Sequence, residues 1–174
     1  LKTLAQKTQA EIQERNREIE EGLFQATDDP KKPLIAPPVE TIPPYLNFAP
    51  LDNATVALGR SATEYRKALE NINANGGSAM AAASLADVNK FLLKSERKLT
   101  NAEGLPNRPW FKHQIYAPGF YTGYAAKTMP AVREAIEQKQ WKEAEAGIVV
   151  VARVLQDEAE LISAAAAKLA AAAH

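Results

Sequence analysis

Two histidines, no cysteine and no clustered metal ligands leave this chain few ways to do chemistry. A zinc hydrolase needs several histidine, aspartate or glutamate ligands and an open coordination position. His113 stands alone inside the chain, His174 sits among the last residues, and no HExxH or comparable spacing occurs. His113 is therefore expected to find a hydrogen-bond partner and no metal. A serine hydrolase needs a nucleophile beside a base, yet there is no GxSxG and no obvious serine partner for His113. Without cysteine, disulfides, zinc–cysteine sites and thiol nucleophiles are excluded, and the redox compartment is unreadable. Residues 75–78 read NGGS, which follows no strand and lacks the GK[ST] of a phosphate loop. Glu143 with Glu145, and Glu158 with Glu160, are two apart on a helix and do not face each other as a carboxylate dyad would. The residues alone give no catalytic group and no metal site, so the chain is not a self-sufficient enzyme.

One segment is different. Residues 104–132, GLPNRPWFKHQIYAPGFYTGYAAKTMPAV, hold six of the twelve aromatic residues, four of the eleven prolines and His113. Two prolines bracket RPWFKHQIYAP, a short β-like run, and Gly119 and Gly123 permit turns. Such a segment can pack its rings into a helical body, or show them and its hydroxyls at an interface. Trp110, His113, Tyr116 and Arg108 are its candidate structural or interface residues. Arg108 is suited to bond a carboxylate or helix-terminal carbonyls.

The flanking sequence is helical. Residues 1–24 form a charged helix with a thin stripe of Leu4, Ile12, Ile19 and Leu23, and Glu11 can pair with Arg15. Residues 27–50 carry seven prolines, which forbid helix and central strand alike. Their Leu34, Ile35, Val39, Ile42, Tyr45 and Phe48 predict a crossover docked on an apolar surface, with a motif for proline-reading domains as the lesser alternative. Leu58, Ala62, Tyr65, Leu69 and Ile72 share one face of a helix over 52–74, stopped by Gly76 and Gly77. Ser84, with Asp87 three residues on, predicts the N-cap of the next helix, whose stripe is Leu85, Val88, Leu92 and Leu99. Pro130 suits the first turn of a helix bearing Val132 and Ile136. After a break near Lys139 and Gln140, Trp141, Ala144, Ile148, Val151, Leu155, Ala159, Ile162 and Ala166 mark the longest helix. The expected fold is all-α, an antiparallel four-helix-type bundle with a long proline-rich crossover (27–50) and an irregular aromatic segment (104–128) in one domain, 1–168. Residues 169–174 read as a low-complexity tail, with a vector origin as one reading. The start without methionine reads as a piece cut from a longer protein. A formal net charge of zero argues against nucleic-acid and membrane partners, and no apolar run reaches the length of a membrane span.

The aromatic segment also carries a resemblance. GLPNRPWFKHQIYAP, followed by YAAKTMPAV and a long alanine-rich helix, resembles the transferrin-receptor-like dimerisation domain. That domain closes glutamate carboxypeptidase II, related M28-type zinc peptidases and transferrin receptors. The family pattern runs close to GLPxRPFYRHVIYAP and then YAGESFPGIYDAL. The match is strong over 104–118, fair over 124–136, and looser across the last helix and back to SERKL. Before about Leu51 it is general only.

The resemblance implies a homodimerising bundle that packs on the protease domain of the same parent chain. Zinc and the catalytic glutamate would belong to that protease domain, so no cofactor is expected in this chain. The implied parent is a secreted or periplasmic peptidase acting on peptide substrates. In glutamate carboxypeptidase a Lys-Tyr pair before AGESFPG binds the substrate's terminal carboxylate. Here Tyr124 keeps the tyrosine as the candidate substrate-binding residue, Gly123 replaces the lysine, and Lys127 lies three residues further on. Tyr124 stays open between substrate contact and packing. Ile148, Val151 and Leu155 are core in one reading and partly interface in the other. The alternatives are a non-catalytic receptor-like parent and an independent ligand-binding bundle.

Overall fold

The structure is a computed structural model that describes residues 1–23, 35–74, 82–123 and 125–172. It is mostly helical, with α1 (Lys2–Glu20), α2 (Ala49–Ala74), α3 (Ala82–Lys98), β1 (Tyr116–Pro118), β2 (Ala126–Thr128), α4 (Pro130–Glu137) and α5 (Trp141–Ala172). Among the described residues no helix is long and apolar enough to cross a membrane. The glycine stop at 76–77 and the NGGS stretch lie outside the described residues.

Helix α5 is the axis. Its Ala144, Ile148, Val151 and Leu155 meet Leu46, Phe48, Leu51 and Ala54 from the crossover and α2, and Val132 and Ile136 from α4. The neighbours do not all run antiparallel. Leu51 clusters with Val151, Ser163 Oγ donates to Glu64 Oε2, and Ala68 packs with Leu169, so α2 and α5 run the same way. Helix α3 runs back along them: Ser95 Oγ donates to Glu158 Oε1 at 2.5 Å, and Val88 meets Leu169. Helix α3 carries the chain back between the two, so α2, α3 and α5 run up, down and up.

The stripes are displaced on two helices. On α2 the inward line is Leu51, Ala54, Leu58, Ser61, Tyr65, Ala68 and Ile72, while Ala62 and Leu69 face outward. Small side chains on this line let α2 lie close to the alanine-rich α5. On α3, Leu92 is exposed and Ser95 turns inward, because buried Glu158 of α5 needs a donor there. The helix already includes Ala82 and Ala83, which places Ser84 inside it and not at its N-cap. On α1, Glu11 pairs with Lys7 at 3.6 Å. Helix α5 continues through residue 168, and Leu169, 1% exposed, packs on Ala68 and Val88.

Two local devices fix the elements that carry the aromatic segment. Met129 is left-handed (φ 48°), and Pro130 then opens α4, where the missing N–H costs nothing. Lys139, also left-handed (φ 60°), makes the turn into α5. The described part of the crossover is extended and docks through Pro43, Leu46 and Phe48; of the other apolar residues expected to face the bundle, Ile35, Val39, Ile42 and Tyr45 are exposed, the last three at the outward positions of a three-residue repeat, and Leu34 lies outside the described residues. Asn16 imitates a strand partner, its amide donating to Glu40 O at 2.7 Å and its oxygen accepting from Glu40 N at 2.8 Å. Lys139 pairs with the Glu40 carboxylate from the other side and holds it below its ordinary value, with Arg15 adding to the effect.

Candidate functional site

The aromatic segment is a chain of short turns closed by a two-stranded ribbon. Gln114 N donates to Leu99 O at 2.9 Å and Asn101 N to Lys112 O at 2.9 Å, which closes residues 101–112 into a loop. Inside it Leu105 N donates to Phe111 O at 2.9 Å. Gly104 has φ 72°, and a Cβ there would stand 2.2 Å from the Pro109 carbonyl oxygen, so only glycine fits. Gln114 is 1% exposed, and its amide donates to Lys112 O at 2.9 Å. Leu105, Ala117 and Ala131 form a small core under Phe111. Strands β1 and β2 pair antiparallel with Tyr116 opposite Thr128.

Arg108 binds this loop to α4. Its side chain is 4% exposed and faces Glu134 Oε2 at 2.7 Å. It donates also to the Pro118 carbonyl of β1. Its guanidinium lies 5.4 Å from the Phe111 ring centre and 5.7 Å from that of Phe120. The other Glu134 oxygen accepts from Phe120 N at 2.8 Å. One buried ion pair therefore positions the loop, the ribbon and the turn that follows. An ion pair so dry is costly to break, because either partner alone is a stranded charge.

His113 is held by the backbone. Its Nδ1 accepts from Ile115 N at 3.2 Å and Tyr116 N at 3.3 Å, which puts the ring proton on Nε2. Nε2 is 3.2 Å from Glu96 Oε1 without hydrogen-bond geometry. The Tyr116 ring lies over the imidazole at 4.0 Å, and its hydroxyl donates to Glu96 Oε1 at 2.7 Å. The Glu96 carboxylate raises the Tyr116 phenol above its ordinary value. Among the described residues no three His, Asp or Glu side chains come together as a metal site.

The outer edge is aromatic. Trp110 is 70% and Tyr121 74% exposed, with Phe120 standing edge-on to Tyr121 at 4.9 Å. Gly123 closes the turn at φ 64°, and its N–H donates to Gly119 O at 3.1 Å. Tyr124 lies outside the described residues. Lys127 is committed to Glu137. Ile148, Val151 and Leu155 are 1%, 0% and 7% exposed, and their faces are used up within the chain's own core. Of the residues singled out from sequence, His113 and Tyr116 stack on each other, Arg108 belongs to a separate cluster with Glu134, and Trp110 stands exposed beside Phe111. Glu134, Glu96 and Gln114, which fix them, were not read from sequence. A glutamate next to Val132 and Ala135 on a short apolar helix was a weak signal for Glu134, since its partner is 26 residues away.

The model of the family described as transferrin receptor-like dimerisation domain matches residues 46–163. The chain is 35% identical over 78 residues, 45% of its length, to a "Probable glutamate carboxypeptidase" of Arabidopsis thaliana. A second Arabidopsis protein with that description is 32% identical over 98 residues, 51% of this chain. A fungal one, from Arthroderma benhamiae, is 44% identical over 41 residues, 24% of this chain. The matches span 12%, 14% and 6% of those proteins, in that order, so the chain corresponds to a small part of each. With the family model covering well over half of it, the chain belongs to the transferrin receptor-like dimerisation domain family.

Proposed function

We propose that this chain is the C-terminal dimerisation and cleft-completing domain of a larger glutamate carboxypeptidase-like zinc metallopeptidase. It is not catalytic by itself. The observation that carries the reading is the exposed aromatic edge, Trp110, Phe120 and Tyr121, held rigid from below by the dry Arg108–Glu134 pair. Large rings fixed at a surface are suited to recognition and lose little side-chain freedom on contact. The three relatives are described as probable glutamate carboxypeptidases, which favours a carboxypeptidase parent over a receptor-like one.

In this reading the protease domain packs against the aromatic edge, and the turn over residues 119–123 forms part of the substrate cleft. Zinc, bound in the protease domain, would supply the activated water. This chain's share is to exclude solvent and orient the peptide's end. Lys127, paired with Glu137, has no free charge for a substrate carboxylate, and Gly123 carries none. We therefore expect weaker selectivity for glutamate-ended peptides than the family's Lys-Tyr pair provides.

The test is to assay the full-length protein on peptides ending in glutamate and in leucine, with and without a chelator, and again after removing residues 46–163. Chelator-sensitive cleavage that is lost with the domain is the expected result. A full-length protein inert on both peptides when loaded with zinc overturns the peptidase reading. Undiminished cleavage without the domain overturns the cleft role.

A further inference from the structure

A groove of about 560 Å³ lies between the 101–109 loop and the first turns of α5. That is the size of a small-molecule site. Leu105, Pro109, Ala131, Gly147 and Val150 give it an apolar floor. Its charges are of one sign. Glu103 comes from the loop and Glu143 from the first turn of α5, and no basic residue joins them in the lining. The ion pairs of the described residues involve neither glutamate. Lys112 of the same segment turns instead to the Ala102 carbonyl, at 2.5 Å.

A third acceptor comes from inside the segment. Gln114 lines the groove although the residue is 1% exposed. Its amide nitrogen donates to Lys112 O at 2.9 Å and faces Gly104 O at 3.5 Å. Its carbonyl oxygen has no donor among the described residues and is not sealed from solvent. A carboxamide this deep normally has both ends satisfied. The free oxygen therefore opens on the groove, where a donor can reach it.

We infer that this groove binds an aliphatic diamine. One ammonium sits on Glu103 and the other on Glu143, the oxygen of Gln114 accepts from one of them, and the methylenes lie on Leu105 and Val150. Three acceptors over an apolar floor match a ligand with charged donors at its ends and hydrocarbon between them. An ammonium has three N–H donors and no acceptor, so it satisfies these oxygens where a neutral or anionic ligand does not. A bare ion would leave the floor unused. Length agrees. From Glu143 to Val150 the α5 wall runs about 10 Å at ~1.5 Å per residue, room for a short methylene chain and its two ends.

The test is a titration of this chain, labelled with ¹⁵N, with 1,5-diaminopentane at low salt. A ligand of this size is expected to bind with a dissociation constant on the order of 1 mM. The expected result is saturable amide shifts confined to residues 101–114 and 143–150, weakened by added salt, and none with pentane-1,5-diol. Glu103→Gln and Glu143→Gln should each raise the dissociation constant about three- to fivefold. Both side chains are exposed, so the fold should survive. Gln114→Leu should do the same, with circular dichroism to confirm that it folds. Four outcomes overturn the site: no saturation, binding of the diol equal to that of the diamine, glutamate variants that bind as the wild type does, or shifts centred on the acidic face of α1 around Glu14 and Glu18. N-acetyl-lysine amide bound as tightly as the diamine overturns the two-ended assignment.

Discussion

At the scale of single residues, Arg108 does the most. Its partners are Pro118 of β1, Glu134 of α4 and the rings of Phe111 and Phe120, so its removal should loosen the whole segment. Arg108→Met strands the Glu134 carboxylate in a site 12% exposed. We expect a loss of about 3–5 kcal/mol in urea unfolding. The double change Arg108→Met with Glu134→Leu should recover most of it, and failure to recover would mean that the Pro118 and Phe120 backbone contacts matter more than the charge. Glu40 gives a pH test. Its folded pKa is lowered from 4.5, chiefly by the bond to Lys139. The contribution is present above that ordinary value and is lost as pH falls through the folded one. Lys139→Met should move the Glu40 carboxyl back toward its ordinary titration in an NMR pH series, with only the Arg15 effect left, and remove that share of the acid dependence. Residue types were the legible part at this scale. That His113 binds backbone and Arg108 a carboxylate follows from what those side chains usually do. Which carboxylate does not follow, because Glu134 looks like any other charge on α4.

At the scale of elements, three-four spacing located α2 to α5, and Pro130 marked the first turn of α4. Spacing alone does not say which of two adjacent stripes faces inward. On α2 the larger Leu69 lost to Ala68, since the close approach of α5 favours small side chains at the contact. The α4–α5 crossing is tighter still. A Cβ on Gly147 would stand 3.2 Å from Val132 Cγ2 and 3.3 Å from the backbone of α4. Gly147→Leu should therefore destabilise by about 1–3 kcal/mol through overpacking. Thermal melts would show it, and a neutral result would mean that α4 is free to move outward. The direction of α2 relative to α5 was beyond the sequence, because helix stripes carry no sign of up or down.

At the scale of the molecule, α5 joins two cores. The larger lies at its start with α4, the crossover and the beginning of α2, and the smaller one, Ala68, Val88 and Leu169, lies near its end. The alanine run near the end of the chain hid the second core, since low complexity reads as a tail when the partner helices are not yet placed. Leu169→Ala should cost about 2–4 kcal/mol in denaturant unfolding. A change below ~0.5 kcal/mol, usual for a surface site, would show that the distal end is loosely held.

The place of α5 in the chain has a consequence for how the domain is made. Every other helix here buries its apolar face, directly or through α4, on an element that leaves the ribosome after it. During synthesis at about 5–20 residues per second, α1 to α4 wait for seconds as amphipathic pieces with nothing to cover them. The aromatic segment is the exception, because Arg108, Pro118, Phe120 and Glu134 close on one another within 27 consecutive residues. The nascent domain thus has one unit able to form early and a core that can only form last. Chaperone demand, and sensitivity to truncation, should both concentrate where α5 is translated.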